Sequence, residues 1–475
     1  MNRLVQHLLH YLTTLTLTSC VFAAAFCATK QAFSADSTRV PNIVVILIDD
    51  MGFSDLSCMG STYYETPSIN KLAASGMRFT HAYSACTVCS PTRAAVLTGK
   101  YPARLHLTDW IPGQMSNKTK LKLPDWNKQL NLEEITLAEL LGAHGYTTAS
   151  IGKWHLGPPE CEPTRQGFSL NIGGNSKGQP PSYFFPYERN GVLLPGLAEG
   201  KPNEYLTDRL TDACEAFIEE NQSKPFFLYL PHYCVHTPLQ AKPELIAKYE
   251  AKNAQFPGNP QHEAKYAAMV ESLDQSVGRI MAKLDALDLT KKTIVIFTSD
   301  NGGLVLREIT SNLPARAGKG SAYEGGVRVP LIVSYPPMIK PGTTCDVPAI
   351  SMDLFPTLAE LSGAKYSHDI DGKSIVPLLE EKPDAFAARP LYWHYPHYHG
   401  GGATPYSAMR VGNYRLVEFF EDGRLELYDL AHDIGEMKNL AQEKPDLTEK
   451  LHRQLIAWRK SVDAQYATPR EAEPK

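Results

Sequence analysis

Apolar and polar positions follow two recurring patterns along the chain. Short runs that are apolar throughout are typical of central strands in a parallel sheet, whose two faces are both covered. Longer segments carry apolar residues at helical spacing, which predicts helices. Runs of the first kind cover 41–50, 146–151, 226–230, 293–298 and 331–335, and helical segments cover 135–145, 206–221, 262–287, 351–363 and 447–461. The alternation predicts an α/β fold with a sheet covered by helices.

The C-terminal part of the chain follows a different pattern. Residues 414–420 and 424–428 predict a hairpin that turns at 421–423. Helix and strand breakers precede this part, namely Gly372, Pro377, Pro383 and Pro390. We therefore predict a larger domain over 36–380 and a smaller C-terminal domain over 381–475.

The first 35 residues resemble a signal peptide. Arg3 gives a basic start, residues 8–26 are largely apolar, and small residues follow up to Ala35. Removal of 1–35 would release a periplasmic or secreted protein. The sequence Leu-Thr-Ser-Cys ending at Cys20 supports an alternative, a lipoprotein anchored through that cysteine. No later stretch is apolar for the ~20 residues that a membrane span needs.

Composition narrows the possible partners. Of the 475 residues 43% are hydrophobic, and the net charge of −4 is too small to indicate nucleic acid as a partner. Removal of the leader would leave seven of nine cysteines. An oxidising compartment would permit disulfides among Cys58, Cys86, Cys161, Cys214, Cys234 and Cys345, although small buried apolar side chains are the alternative interpretation.

Oxygen-bearing side chains follow two of the predicted strands. Asp49 and Asp50 end the first run, and Asp300 and Asn301 follow the strand at 293–298. Ligands of parallel sheets bind beyond the carboxyl ends of strands, so these side chains are expected to meet. Carboxylates and an amide without histidine favour Ca²⁺, with Mg²⁺ second, over Zn²⁺. The alternatives are a capped turn at Asp49 and an ordinary Asp-Asn-Gly turn at Asp300.

A reactive residue stands at the start of another predicted helix. Pro91 suits a first helical position and Gly99 an end, so Cys89 lies near the helix N-terminus, which favours anions. Arg93 lies one turn further on the same face. Cys86 and Cys89 also form a Cys-x-x-Cys pair, so a redox or zinc site is an alternative.

Further cationic or titratable residues follow predicted strands or lie between glycines. Lys153 and His155 come just after a strand, in a segment where alternate side chains share a face. His236 follows the run at 226–230, and Lys319 lies between two glycines that would let the backbone approach a ligand. Each has a plain structural alternative, a core histidine or an ordinary loop lysine.

Several of these motifs together resemble the sulfatase family. Cys89-Ser-Pro-Thr-Arg93 with Thr98-Gly99 is similar to the family signature Cys-x-Pro-Ser-Arg followed by Thr-Gly, with Thr92 keeping the usual hydroxyl. His236-Thr-Pro, residues 426–430 and Asn439-Leu440 extend the similarity over nearly the whole mature chain. The resemblance implies an alkaline-phosphatase-like fold with a mixed, mainly parallel sheet, and a smaller C-terminal α+β domain built on an antiparallel sheet.

The resemblance also implies a mechanism of sulfate ester hydrolysis. A formylglycine-generating maturation enzyme would oxidise Cys89, and the formylglycine hydrate would bind the divalent cation and attack sulfur. Arg93 would hold the hydrate, while Lys153, Lys319 and His236 would bind the sulfate. His236 would protonate the leaving alcohol, and His155 would remove the proton that allows the aldehyde to reform.

The sequence resembles the arylsulfatase and N-acetylgalactosamine sulfatase branch of the family. This resemblance implies a sulfated poly- or oligosaccharide substrate based on galactose or N-acetylgalactosamine. An aromatic and histidine cluster could form a sugar-stacking rim or, alternatively, a seam between domains; it comprises Tyr392, Trp393, His394, Tyr395, His397, Tyr398 and His399. The competing functions are a phosphonate or phosphate diester hydrolase and a non-catalytic glycan-binding protein.

Overall fold

An eight-stranded sheet forms the centre of the larger part of the molecule. The computed structural model describes residues 40–114 and 119–470, so the predicted signal peptide and Cys20 lie outside the described residues. The strands are β1 (Asn42–Ile48), β2 (Met77–Phe79), β3 (Thr147–Ile151), β4 (Leu170–Ile172), β5 (Phe226–Pro231), β6 (Thr293–Ser299), β7 (Leu331–Ser334) and β8 (Thr343–Cys345). All five strand predictions of the sequence are confirmed, with ends that differ by one or two residues.

The sheet is mixed and mainly parallel, as the family resemblance implies. Its order is β8-β2-β7-β6-β1-β5-β3-β4. Strand β1 is central and pairs in parallel with β6 and β5, whereas β7 runs antiparallel to both β6 and β2. The carboxyl ends of β1, β5, β3 and β6 therefore open at one edge of the sheet.

Helices cover both faces of this sheet. Alternate residues of β1 enter different cores: Val44 and Ile46 pack in one, and Val45 and Leu47 in the other. The α-helices are α1 (Pro67–Ser75), α2 (Cys89–Thr98), α3 (Pro102–Leu105), α4 (Leu137–Ala143), α5 (Leu206–Glu220), α6 (Pro243–Asn253), α7 (Ala264–Ala286), α8 (Glu324–Val327), α9 (Leu354–Ser362), α10 (Val376–Leu379) and α11 (Pro445–Ser461). The sandwich explains why the strands are apolar throughout.

The C-terminal part contains an antiparallel sheet of four strands. They are β9 (Leu391–Tyr395), β10 (Tyr406–Val411), β11 (Tyr414–Phe419) and β12 (Leu425–Asp429), paired in chain order. Helix α11 packs against β10 and β11. The predicted hairpin and final helix are thus confirmed, while the domain boundary at 380/381 stays a prediction.

Candidate active site and metal centre

The carboxyl ends of β1 and β6 bring four predicted oxygen ligands together. The two strands pair in register, and the Asp300 N–H donates to the carbonyl of Ile48, the last residue of β1, at 3.0 Å. The Asp50 N–H donates to Asp300 Oδ1 at 3.2 Å. Asp49, Asp50, Asp300 and Asn301 are all fully or almost fully buried. The backbone pairing of the two strands therefore fixes the positions of these side chains.

Three buried oxygens at this site lack a hydrogen-bond donor among the described residues. They are Asp49 Oδ1, Asp50 Oδ2 and Asn301 Oδ1. The Asn301 amide donates its Nδ2 hydrogen to Asp50 Oδ1 at 2.9 Å, which distinguishes its nitrogen from its free oxygen. Ligand atoms of Asp49, Cys89 and Asp300 lie within 4.8 Å of one another. Buried acceptors without donors are costly, and oxygen donors suit a hard divalent cation, so these residues fit a metal ion.

Cys89 is the first residue of α2 and lies beside the oxygen cluster. The helix is buried along its whole length, and Gly99 ends it in the left-handed conformation with φ of 70°. The Cys89 Sγ lies 3.4 Å from His155 Nδ1. Burial raises the pKa of the Cys89 thiol. An unmodified residue 89 is therefore a neutral thiol in contact with a histidine.

His155 presents an unprotonated nitrogen to Cys89. Its Nε2 contacts the carbonyl oxygen of Ile111, and a carbonyl only accepts, so Nε2 carries the hydrogen and Nδ1 is free. Burial, followed by the charge of Lys153, lowers the pKa of His155 well below the usual value. His155 is thus a neutral base directed at residue 89.

Each carboxylate of the cluster is paired with one buried cation. Lys153 Nζ lies 2.6 Å from Asp49 Oδ2, and Lys319 Nζ lies 2.6 Å from Asp50 Oδ1. The Arg93 Nε donates to Asp300 Oδ2 at 2.8 Å. Three carboxylates and three cations balance, so a divalent cation would give the site a surplus of positive charge for an anionic substrate.

Burial and neighbouring charges shift the pKa values of the two aspartates of β1 in opposite directions. Burial raises the pKa of Asp49 to about 8, although Lys153 opposes the shift. Burial acts on Asp50 as well, but the charges of Lys319 and Lys153 and the hydrogen bond from Asn301 oppose it, and the pKa of this carboxyl lies well below its usual range. Asp50 is therefore the carboxylate whose negative charge the protein itself stabilises.

His236 faces Asp50 from the loop after β5. Its Nδ1 lies 2.7 Å from the carbonyl oxygen of Thr237, so Nδ1 carries the hydrogen, and Nε2 lies 3.6 Å from Asp50 Oδ2. Burial lowers the pKa of His236 to about 3. The imidazole is therefore neutral and turns its free nitrogen toward the cluster.

A cavity of about 760 Å³ opens above this cluster. Its volume is within the ~300–1,000 Å³ typical of small-molecule sites. The residues that line it come from both parts of the chain: Asp50, Cys89, Trp110, Ile111, Pro112, Lys128, His155, Gly157, Pro158, Pro159, Ser176, Lys177, Gly178, Gln179, His236, Leu304, Lys319 and His399.

Comparison with known proteins identifies the family. The family model described as Sulfatase matches residues 41–364, and the one described as N-sulphoglucosamine sulphohydrolase, C-terminal, matches residues 318–461. The chain belongs to the sulfatase family. It is therefore a sulfuric ester hydrolase, and a phosphonate or phosphate diester hydrolase is not favoured.

Relatives match this sulfatase over most of their length. A sulfatase of Formosa agariphila is 35% identical, with 89% of each chain covered, and human arylsulfatase A is 33% identical, with 90% of this chain and 89% of the relative covered. The crystal structure of Ps i-CgsB in complex with k-i-k-neocarrahexaose is similar with a TM-score of 0.75 and 29% identity, covering 89% of this sulfatase and 93% of that chain.

The structure brings all the sequence-predicted site residues of the sulfatase together. Five of them line the cavity, namely Asp50, Cys89, His155, His236 and Lys319, and five lie buried behind its wall, namely Asp49, Arg93, Lys153, Asp300 and Asn301. The segment that carries Lys153 and His155 is a loop and not a strand, since His155 has φ of 61°. Both side chains still reach the site, while Trp154 packs in the core.

The interpretation of the aromatic cluster as a sugar-stacking rim is wrong for most of its members. Tyr392 stacks on Trp458 with ring centres 4.5 Å apart, and four further members are buried: Trp393, His394, Tyr395 and His397. Tyr398 donates its hydroxyl to Glu421 at 2.7 Å. His399 alone of this cluster lines the cavity. Strand β9 buries both of its faces, which explains the aromatic composition.

Sequence reasoning missed several cavity residues. Trp110, Lys128, Ser176, Lys177 and Gln179 lie in loops that carry no hydrophobic periodicity and no motif. These residues share only their position around the cavity, which depends on the tertiary structure. A signal was present in the clustering of Ser, Lys, Gly and Gln at 176–179, but such composition is common in surface loops.

Burial accounts for most of the cysteines and for His232, a second histidine that follows the strand at 226–230. The seven cysteines of the described residues are all free. Besides Cys89, five of them are buried, so these five are small apolar side chains rather than disulfide partners. His232 is a core histidine whose Nε2 lies 3.2 Å from Ser276 Oγ. Within residues 40–114 and 119–470, no helix is both long and apolar enough to cross a bilayer.

Proposed function

We propose that this sulfatase cleaves the S–O bond of sulfate esters on galactose- or N-acetylgalactosamine-based oligo- or polysaccharides. The observation that carries the proposal is the close approach of Cys89, which lines the cavity, to the buried Asp49 and Asp300. The complex of the similar Ps i-CgsB with an oligosaccharide supports a glycan substrate.

Residue 89 acts after a maturation enzyme has oxidised its thiol to formylglycine. Asp49, Asp50, residue 89, Asp300 and Asn301 would hold a Ca²⁺, which would supply Lewis-acid chemistry at this site. All-oxygen ligation with several carboxylates favours Ca²⁺ over Zn²⁺, and Mg²⁺ is the second choice. Arg93 holds the hydrated side chain of residue 89 in place, because its guanidinium is fixed between Asp300 and the carbonyl of Lys153.

The buried cations bind the sulfate group. Lys319 lines the cavity and exchanges part of its contact with Asp50 for a sulfate oxygen, and Lys153 adds its charge from behind Asp49. Fixed charges in a site that excludes water stabilise the charge of the transition state without reorganisation. The His236 Nε2 binds a sulfate oxygen and carries the proton to the leaving alcohol. A bound anion supports this role because it raises the pKa of the neighbouring imidazole.

His155 completes the cycle. Its free Nδ1 removes a proton from the hydroxyl that remains on residue 89, so that the aldehyde reforms and sulfate leaves. The enzyme acts in the periplasm or outside the cell after removal of residues 1–35, or as a lipoprotein anchored through Cys20. Catalytic residues lie in the domain 36–380, and the C-terminal domain 381–475 supplies His399.

The test is the chemical state and the necessity of residue 89. Mass spectrometry of the peptide that contains this residue should show an aldehyde in place of the thiol. Cys89→Ala should abolish sulfate release while circular dichroism and the thermal unfolding midpoint stay close to those of the parent protein. A fully active enzyme with an unmodified thiol would refute the proposal.

A further inference from the structure

The wall of the cavity carries more positive charge than the sulfate site uses. Asp50 is the single carboxylate among the described lining residues, and it is paired with Lys319. Two further lysines, Lys128 and Lys177, line the same cavity. No carboxylate lies within ion-pair distance of either one in the part of the chain that the structure describes. These two charges are therefore available to a ligand.

Aromatic rings accompany these charges. Trp110 lines the same cavity, but its Nε1 hydrogen is buried and is not open to a ligand. The Lys128 ammonium lies 5.8 Å from the ring centre of Trp126. Two ammonium groups without a carboxylate partner, on the wall of one cavity, form an arrangement suited to an anion.

The cavity is large enough for a second saccharide unit. Its volume of about 760 Å³ exceeds what one sulfated sugar needs and is in the upper part of the range for drug-sized ligands. The residues of the sulfate site that line this volume are buried or half-buried, whereas Lys128 and Lys177 line it as exposed residues.

We propose that Lys128 and Lys177 form a second anion subsite, which binds a sulfate ester or a uronate carboxylate on the sugar next to the one that loses its sulfate. The proposal rests on the proposed function and specifies its substrate class. The preferred substrates are glycans with at least two negative charges on neighbouring residues. If Lys128 and Lys177 were ordinary solvated lysines, the enzyme would show no preference for doubly charged glycans.

The test compares four substrates with the matured, metal-loaded full chain. They are a neutral aryl sulfate, a monosulfated neutral disaccharide, a disaccharide with a second sulfate on the neighbouring sugar, and a monosulfated disaccharide with a neighbouring uronate. Wild-type kcat/KM should be highest for one of the two doubly charged disaccharides, and the comparison of these two distinguishes a sulfate from a carboxylate as the bound group.

The double variant Lys128→Met with Lys177→Met should lower kcat/KM for the preferred doubly charged disaccharide about tenfold or more, equivalent to ~1.4 kcal/mol. The aryl sulfate and the neutral disaccharide should change less than about twofold. Lys122→Met is the matched control, because this exposed lysine does not line the cavity, and it should leave all four rates unchanged.

Equal losses on all substrates, or no loss on the doubly charged ones, would overturn the subsite. Equal wild-type rates on neutral and doubly charged disaccharides would overturn it as well. Failure of the wild-type enzyme to release sulfate from the aryl sulfate and from every disaccharide would instead refute the proposed function.

Discussion

Two neutral histidines of opposite tautomer flank residue 89 and Asp50. His155 carries its hydrogen on Nε2 and leaves Nδ1 free, whereas His236 carries its hydrogen on Nδ1 and leaves Nε2 free. In each case a backbone carbonyl fixes the tautomer, so the direction of the free nitrogen does not depend on a titratable partner. The two rings can therefore serve different proton transfers within one cycle.

His155→Ala should lower turnover of an aryl sulfate by about 10²–10⁴-fold, the usual contribution of a positioned base. Because burial lowers the pKa of His155, the parent enzyme should keep this base neutral from alkaline pH down to well below pH 6.5, and lose it only under more acidic conditions. Steady-state rates of the parent and of His155→Ala, measured from alkaline pH to well below pH 6.5, test both the loss of turnover and its pH dependence.

His232→Ala is the control for this variant. His232 is also buried and hydrogen-bonded, but it contacts Ser276 in the core and not the cavity. It should lower the thermal midpoint without changing turnover per folded molecule. Equal activity of the His155 variant and the parent would exclude a role as base.

At the scale of elements, the loop that carries Lys319 is held by the C-terminal part of the chain. Gly320 has φ of 71°, its carbonyl accepts from the Ala403 N–H at 2.8 Å, and a Cβ on it would lie 1.7 Å from His399 Nδ1. The lysine and the histidine that line the cavity thus depend on one glycine.

Gly320→Ala should reduce kcat/KM at least about tenfold, because the added methyl must displace His399 or the backbone next to Lys319. Gly412→Ala is the matched control. Its φ is also positive, at 57°, but nothing lies within 4 Å of the point that an added methyl group would occupy, so it should cost only the ~1–2 kcal/mol of left-handed strain. The measurements are kcat/KM and the thermal unfolding midpoint of both variants. A Gly320→Ala variant with the kcat/KM of the parent would contradict the role of this glycine in positioning Lys319 and His399.

The strands and the acidic side chains that meet at the edge of the sheet could be predicted because each depends on a local pattern. An apolar run followed by two carboxylates indicates both a strand and its functional end, as Asp49 and Asp50 illustrate. The place of Lys128 and Lys177 on the wall of one cavity could not be predicted, since it depends on how two irregular loops pack. The aromatic residues of β9 were misleading because a strand buried on both faces and a sugar-binding surface have the same composition.

At the scale of the whole molecule, a buried arginine joins the C-terminal sheet to the loop of the active site. Arg415, in β11, lies 3.2 Å from Glu324 and 3.3 Å from Glu436, and it donates to the carbonyl of Ala322 at 2.7 Å. Its side chain is fully buried. The position of the loop that begins at Lys319 is thereby coupled to the sheet.

Arg415→Met should lower the free energy of unfolding by about 3–5 kcal/mol, because it leaves two buried carboxylates without their cation. Arg424→Met removes an arginine that also pairs with two carboxylates, Asp422 and Glu426, but is about half exposed, and it should cost no more than ~1 kcal/mol. Denaturant unfolding measures both. A similar loss of unfolding free energy in the two variants would show that the buried ion pairs of Arg415 do not join the C-terminal sheet to the loop of the active site.

The central strand also restricts how the chain can change in length. Since residues of β1 enter the two cores alternately, an insertion or deletion of a single residue within Asn42–Ile48 would exchange the side chains of both layers and rotate the acidic pair at its end by half a turn. Substitutions that preserve side-chain volume are compatible with this strand. A one-residue shift in its register, in contrast, disrupts both the hydrophobic cores and the active site. Evolutionary gain or loss of residues in such an enzyme is therefore expected in the loops around the cavity, which is where the recognition of a new glycan would be acquired.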